Sequence, residues 1–435
     1  MLAFVLAILL MKYGTRVTQP ESFLSHYSFL VALSCFELFL ATRALPYNSH
    51  ATAPDALTDL RSATAQLLIG AQDRTPPDRF LSISNTFFDP GDTAELKSIF
   101  GDQLPKDAFN DLIVATKFKE IIAPNLPLYY RLPAADGYDG GLLPLRNYMT
   151  FQQLFVDPSL IQSDGRLREQ LKSIPDVSWL DLMNIRYIIT DKTGDQWYDG
   201  VMYDLQFSTP LQAGESAATS QLPALPADAL GLVYSTPFSN TALAAIDLML
   251  TDGTTQTLKL SDPCIGAKAA DGLTTCRLSW AGLRQVKSIR VTGLSGFTLE
   301  GAALIDQASG AFQSFVIAPR GEFRLVHSGD VKVYENVDVL PRTFIVNSAV
   351  TVSDDEVAIE LMKHNQVDPL HAVVLQALDS PMQAADFPPV ALSPSQPVTK
   401  SSSRLVSYDP EHIVVDVDTS QDGYLVITDA YYPGW

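Results

Sequence analysis

The stretch from Asn125 to Phe155 concentrates the residue types that could grip a ligand. Tyr129, Tyr130, Tyr138 and Tyr148 surround two turn signals, Asp136-Gly137 and Asp139-Gly140-Gly141, with Arg131 and Arg146 close by. Aromatic faces beside carboxylates and a guanidinium suit a sugar ring or a phosphate-linked headgroup. The candidate binding residues are therefore Tyr129, Tyr130, Asp136, Tyr138, Asp139 and Arg146. The same residues would also serve an ordered loop, since tyrosines pack and Asp-Gly pairs turn the chain wherever they occur.

Elsewhere the chemistry is sparse. The six histidines are scattered, Ser295 lacks a G-x-S-x-G frame, and no H-E-x-x-H or phosphate-cradling glycine loop occurs. No catalytic residue and no cofactor is predicted. A metal site is not expected either, because no second Cys/His pair stands at zinc spacing. Cys264 and Cys276 are expected to form a disulfide across a glycine-containing loop, which suits an oxidising compartment; buried free thiols are the competing reading.

Two apolar runs open the chain. Leu24 to Leu45 carries no formal charge except Glu37 until Arg43, and about 20 mostly apolar residues suffice to span a bilayer. A buried helix of a globular protein is the bland alternative. Leu2 to Met11 follows Met1 with no basic residue before it, unlike a secretory signal, and reads as the end of a longer membrane helix, as though the sequence were cut there. Lys12 and Arg16 then mark a cytoplasmic loop, and the chain emerges near Pro46 on the outer face. Glu37 fits a helix packed in a bundle or a side chain reaching the interface.

Of the 30 Lys and Arg three precede residue 46, and of the 49 Asp and Glu two do, leaving 27 against 47 beyond it. Such a surface repels nucleic acid. With 46% hydrophobic residues the outer portion still has ample apolar material for cores.

The expected fold class is mixed α+β in four stretches. A membrane segment covers 1–45, with a truncated helix at 1–11 and a full span at 24–45. An extracytoplasmic α/β region covers 46–205, with helices at Ala53–Ala71 and Arg166–Ile174, strands at Phe80–Ser84 and Ile185–Thr190, and an Asp92/Glu95 capping box. A jelly-roll-like β-sandwich covers 206–322, entered through a Ser/Ala/Pro-rich boundary that runs to Leu230, with Trp280 expected in its core. A β-rich region covers 323–435. There Ser353 and Glu356 cap a helix whose Val357, Ile359 and Leu361 face inward, a Pro/Ser-rich linker runs from Ser380 to Ser403, and the Ile413–Val417 alternation is expected to form a hairpin with Tyr424–Thr428. The end, just after Pro433-Gly434, reads as cut too.

The closing stretch G-Y-L-V-I-T-D-A-Y-Y-P-G-W, Gly423 to Trp435, resembles the closing outer-domain motif of the YfhO-like bacterial membrane proteins, grouped with the polytopic glycosyltransferases of the GT-C type. Three upstream pieces agree in the family's order: the N-L-P-L-Y-Y…D-G-Y-D…R-N-Y stretch, M-N-I-R-Y-I-I-T from Met183, and V-Y-E-N-V-D-V-L-P-R-T-F-I-V from Val333. The sandwich from about Leu230 to Ile317 looks like an insertion into that pattern. The resemblance implies a multi-pass cell-membrane enzyme that moves a sugar from a polyprenyl-phosphate donor to a surface polymer or glycolipid. Residues after about 45 would lie outside the cytoplasm and hold the acceptor, while catalysis would come from an early outer loop not in this sequence. The rival expectation is a membrane-anchored, non-enzymatic protein that binds surface polysaccharide or plays a structural part.

Overall fold

A computed structural model describes residues 20–43, 58–137, 144–163, 166–237, 242–261, 264, 272–364, 366–376, 401–409 and 411–431. The chain divides into two compact units, one of residues 1–59 and 90–117 and the other of residues 60–89 and 118–435. In the first unit Pro20–Arg43 is a helix of 24 residues. The full span expected at 24–45 does not show: among the described residues no helix is long and apolar enough to cross a membrane. The segment 1–11 lies outside the described residues. Further on, Asp92 is the N-cap of the helix Thr93–Phe100, but its side chain makes no cap bond, since its backbone is not extended as a capping residue needs.

The second unit is built on a four-stranded sheet whose strands lie in the order β1 (Arg79–Ser82), β2 (Ile185–Thr190), β15 (Lys332–Asn336) and β14 (Phe323–Ser328). Strand β1 (Arg79–Ser82) lies parallel to β2 (Ile185–Thr190), which is apolar on both faces as a covered central strand must be. One face packs on the helix Ser62–Ala71 and on Ile121 and Ile122, which contact Phe80, Tyr187 and Ile189. The opposite face packs on Leu167, Trp179 and Leu180. The helix expected over Arg166–Ile174 is reduced to Leu167–Gln170, and the one expected over Ala53–Ala71 is described as helix from Ser62, with 51–57 outside the described residues.

After β2 the chain forms a hairpin of β3 (Asp195–Tyr198) and β4 (Val201–Asp204) and then a β-sandwich. The strands are β5 (Thr209–Leu211), β6 (Ser216–Thr219), β7 (Ala227–Ser235), β8 (Ala242–Leu250), β9 (Thr255–Ser261), β10 (Thr274–Arg284), β11 (Val286–Gly293), β12 (Phe297–Ile305) and β13 (Phe312–Phe315). One sheet runs β10-β7-β12-β13 with β5 on β12, and the other runs β6-β11-β8-β9. Alternating Ile246, Leu248 and Leu250, with Ile289 and Val291, meet Leu230, Leu232, Tyr234 and Leu304 between them. The Ser/Ala/Pro-rich stretch up to Leu230 holds β5 and β6, short strands of small residues, and the start of β7. Trp280 is buried in this core and donates its Nε1–H to Ala227 O at 3.0 Å. Cys264 and Cys276 are joined by a disulfide, with Cα atoms 5.5 Å apart.

Strands β7 and β12 are apolar on their outer face as well, because the β3–β4 hairpin covers it with Val201 and Tyr203. The approach is so close that Tyr203 Oη occupies the place a side chain at Gly231 would take.

The chain returns to the first sheet through β14 (Phe323–Ser328) and β15 (Lys332–Asn336), the latter antiparallel to β2. Beyond it lie β16 (Thr343–Val346), β17 (Ser348–Val352), the helix Asp355–Lys363, β18 (Ala372–Gln376), β19 (Ser402–Asp409), β20 (His412–Asp418) and β21 (Tyr424–Ile427). The N-cap of that helix is Asp354, not Ser353, and accepts Val357 N at 2.9 Å; Ile359 is buried, Leu361 is half-buried and Val357 points outward. The expected hairpin is also redistributed. Asp409 pairs with His412 across the shortest hairpin connection, so β20 takes β19, while β21 pairs with β16. The linker read at 380–403 lies outside the described residues up to 400, and Ser402 already begins β19.

Candidate functional site

Asp429, just beyond β21, is the centre of a cluster drawn from distant parts of the chain. Its Oδ1 accepts from Arg79 Nη2 and from Arg342 Nη1, the latter at 3.3 Å, and its Oδ2 accepts Tyr408 Oη at 2.9 Å. Arg79 Nη1 also donates to Met183 O at 3.0 Å and to Thr428 O at 2.7 Å. Arg342 reaches Pro77 O at 3.0 Å and lies over the Tyr408 ring at 5.7 Å. Burial and the neighbouring Arg79 charge lower the Arg342 pKa to about 10, while burial and the Asp429 carboxylate raise Tyr408. Alongside, Asp78 takes Asn184 Nδ2 at 2.9 Å and Arg186 Nη1 at 3.3 Å, and Arg186 pairs with Glu335 at 2.6 Å. These bonds fix β1, β2, β15 and the start of β16 to the chain after β21.

Beside the cluster opens a groove of about 390 Å³. Arg79 and Asp429 form part of its wall with Asn147, Tyr148, Phe151 and Tyr431, and Leu182, Met183, Val426 and Ile427 supply an apolar floor. Tyr148 is held by its hydroxyl, which donates to Ala135 O at 3.0 Å, and burial raises its pKa well above the usual range. Tyr431 is 60% exposed.

The residues singled out from the sequence do not form one patch. Tyr129 is exposed and meets Tyr130 edge to face at 5.1 Å, but Tyr130 packs against the core beneath the first sheet. Asp136 is buried and structural: it accepts Leu167 N at 3.0 Å and Arg168 N at 3.3 Å, with the Arg168 guanidinium at 3.6 Å. Burial raises its pKa against the pull of Arg168. Arg146 is exposed, 3.5 Å from Asp355. Tyr138 and Asp139 lie outside the described residues. The same stretch does reach the groove, through Asn147, Tyr148 and Phe151.

Sequence reasoning missed Arg79, Arg342, Tyr408, Asp429 and Tyr431. A signal was present for three of them, since Arg342, Asp429 and Tyr431 lie in the segments that carry the family resemblance. Among the described residues no group of His, Cys, Asp or Glu could hold a metal ion.

No family model and no curated protein matches the chain. Among solved structures, AlgX from Pseudomonas aeruginosa is matched at 12% identity over 45% of this chain and 44% of its own, with a TM-score of 0.16. The chain thus spans less than half the length of that neighbour, and a likeness at that score carries no argument.

Proposed function

We propose that the chain is the extracytoplasmic part of a membrane-associated, glycosyltransferase-like protein of the YfhO kind. In this reading the groove beside Asp429 holds the surface glycan that receives a sugar from a polyprenyl-phosphate donor. One observation carries it: the segments around Met183, Arg342 and Asp429, which bear the resemblance, are far apart in sequence yet meet at one cluster, and those around Met183 and Asp429 wall one groove with Asn147 and Tyr148. The exposed Val31, Phe36, Leu38, Phe39 and Leu40 on the helix Pro20–Arg43 give the membrane association its support.

Asp429 is engaged by two arginines and a tyrosine, so the groove serves to hold rather than to transfer protons. That feature equally favours a second reading, an anchored polysaccharide-binding protein without transfer activity. The deciding experiment compares wild type with Tyr431→Ala and Asn147→Ala in the full-length protein in cells, following labelled sugar into the surface polymer. A fall at unchanged protein abundance supports the transferase reading. Undiminished incorporation removes the groove from it.

A further inference from the structure

Resting on the reading of the groove as a glycan site, we infer that it takes a neutral, polyhydroxylated chain seated by ring faces on its aromatic wall, and excludes phosphate-bearing polymers. Among the described residues the groove wall carries one cation and one anion, Arg79 and Asp429, and they are paired with each other. Arg79 Nη1 is further occupied by the carbonyls of Met183 and Thr428 and by Thr428 Oγ1 at 3.3 Å. A phosphate would have to displace Asp429 to use it. A polyanion would also approach a chain of formal net charge −19.

What the wall offers instead suits hydroxyl groups and C–H faces. Phe151, Tyr148 and Tyr431 are aromatic, and the floor of Leu182, Met183, Val426 and Ile427 is apolar. Asn147 is exposed, and among the described residues neither its amide nor the Tyr431 hydroxyl has a hydrogen-bond partner. A pyranose presents the matching pair of surfaces, an apolar face for the rings and equatorial hydroxyls for the amide and phenol. Charged headgroups need a donor cluster, and among the described residues this wall has none.

The test is affinity electrophoresis of the full chain through gels containing dextran, mannan, galactan or polyglycerol phosphate. The expected result is retardation by at least one neutral polymer, with less than about twofold change between about 0.05 and 0.5 M salt. Tyr431→Ala, at an exposed position, should weaken retardation about tenfold, the loss of one stacking ring. The inference is overturned by salt-sensitive retardation in polyglycerol phosphate alone, by no retardation in any neutral polymer, or by neutral retardation that Tyr431→Ala and Asn147→Ala leave unchanged. Neutral-glycan retention through Tyr431, together with undiminished sugar incorporation in cells, would sink the transferase reading and leave this one standing. Reduced incorporation with retention of polyglycerol phosphate alone would do the reverse.

Discussion

Lys332 Nζ and Asp204 Oδ2 lie 2.9 Å apart, with the two side chains 1% and 3% exposed, and Asp195 pairs with the same ammonium. The ammonium belongs to the first sheet and both carboxylates to the β3–β4 hairpin that covers the sandwich. Tyr334, also on β15, donates its hydroxyl to Asp204. Replacing Lys332 by Met strands the buried Asp204 carboxylate and the half-buried Asp195 and should lower unfolding stability by about 3–5 kcal/mol in urea titrations. Adding Asp195→Asn and Asp204→Asn to that variant should recover most of the loss.

Asp181 gives a pH dependence with a definite sign. Burial raises its pKa to about 6, although Asn336 Nδ2 donates to it at 2.7 Å. A carboxyl raised above its unfolded value contributes stability in full below about pH 4, and this is lost as pH rises through about 6. Wild-type stability should therefore fall by about 2–3 kcal/mol between pH 4 and pH 7 from this group. Asp181→Asn should flatten that slope and exceed wild type at pH 7.5; equal slopes in the two proteins would show that Asp181 is not responsible.

Reduction of Cys264–Cys276 should loosen the sandwich without abolishing it. The crosslink closes a loop between residues 12 apart in sequence, worth roughly 2–3 kcal/mol in the chain-entropy view. Calorimetry with and without reductant reads the shift, and Cys276→Ser should match the reduced protein.

Much of the secondary structure was legible, and the long-range pairings were not. Ile185–Thr190 announces a buried strand by its own composition, and the turn between β8 and β9 is written as Asp252-Gly253. The partner of β21 could not be read locally, because Thr343 faces Ile427 across more than eighty intervening positions. Asp136 looked like a ligand group because its burial depends on Leu167 and Arg168, which no neighbouring residue betrays. The Arg79–Asp429 pair joins positions 350 apart and leaves no periodicity at all. A cap displaced by one residue, Asp354 for Ser353, reflects two adjacent residues that can both accept from a helix N-terminus.

Asp429→Asn should expose the same pairing from the other side. It leaves Arg79 and Arg342 facing each other, at 16% and 6% side-chain exposure, without their shared counter-charge. Stability should drop by about 3–5 kcal/mol, and the folded remainder should gain retardation in polyglycerol phosphate that wild type lacks. A variant as stable as wild type would show that the carboxylate's charge is not needed there.

The pairing of Thr190 with Lys332 brackets the sandwich between two neighbouring strands of another sheet. The strands of the sandwich follow one another from Thr209 to Phe315, so even their longest pairing, Thr209 with Leu299, closes over a shorter stretch than β2 with β15. The β2–β15 contact spans some 140 residues and carries a larger closure entropy unless that intervening chain is already compact. The sandwich is therefore placed to fold first and to act as a rigid tie that brings the two halves of the first sheet together. Its influence on the groove would then be exerted during folding, in the rate at which β15 and the segments after it reach β2.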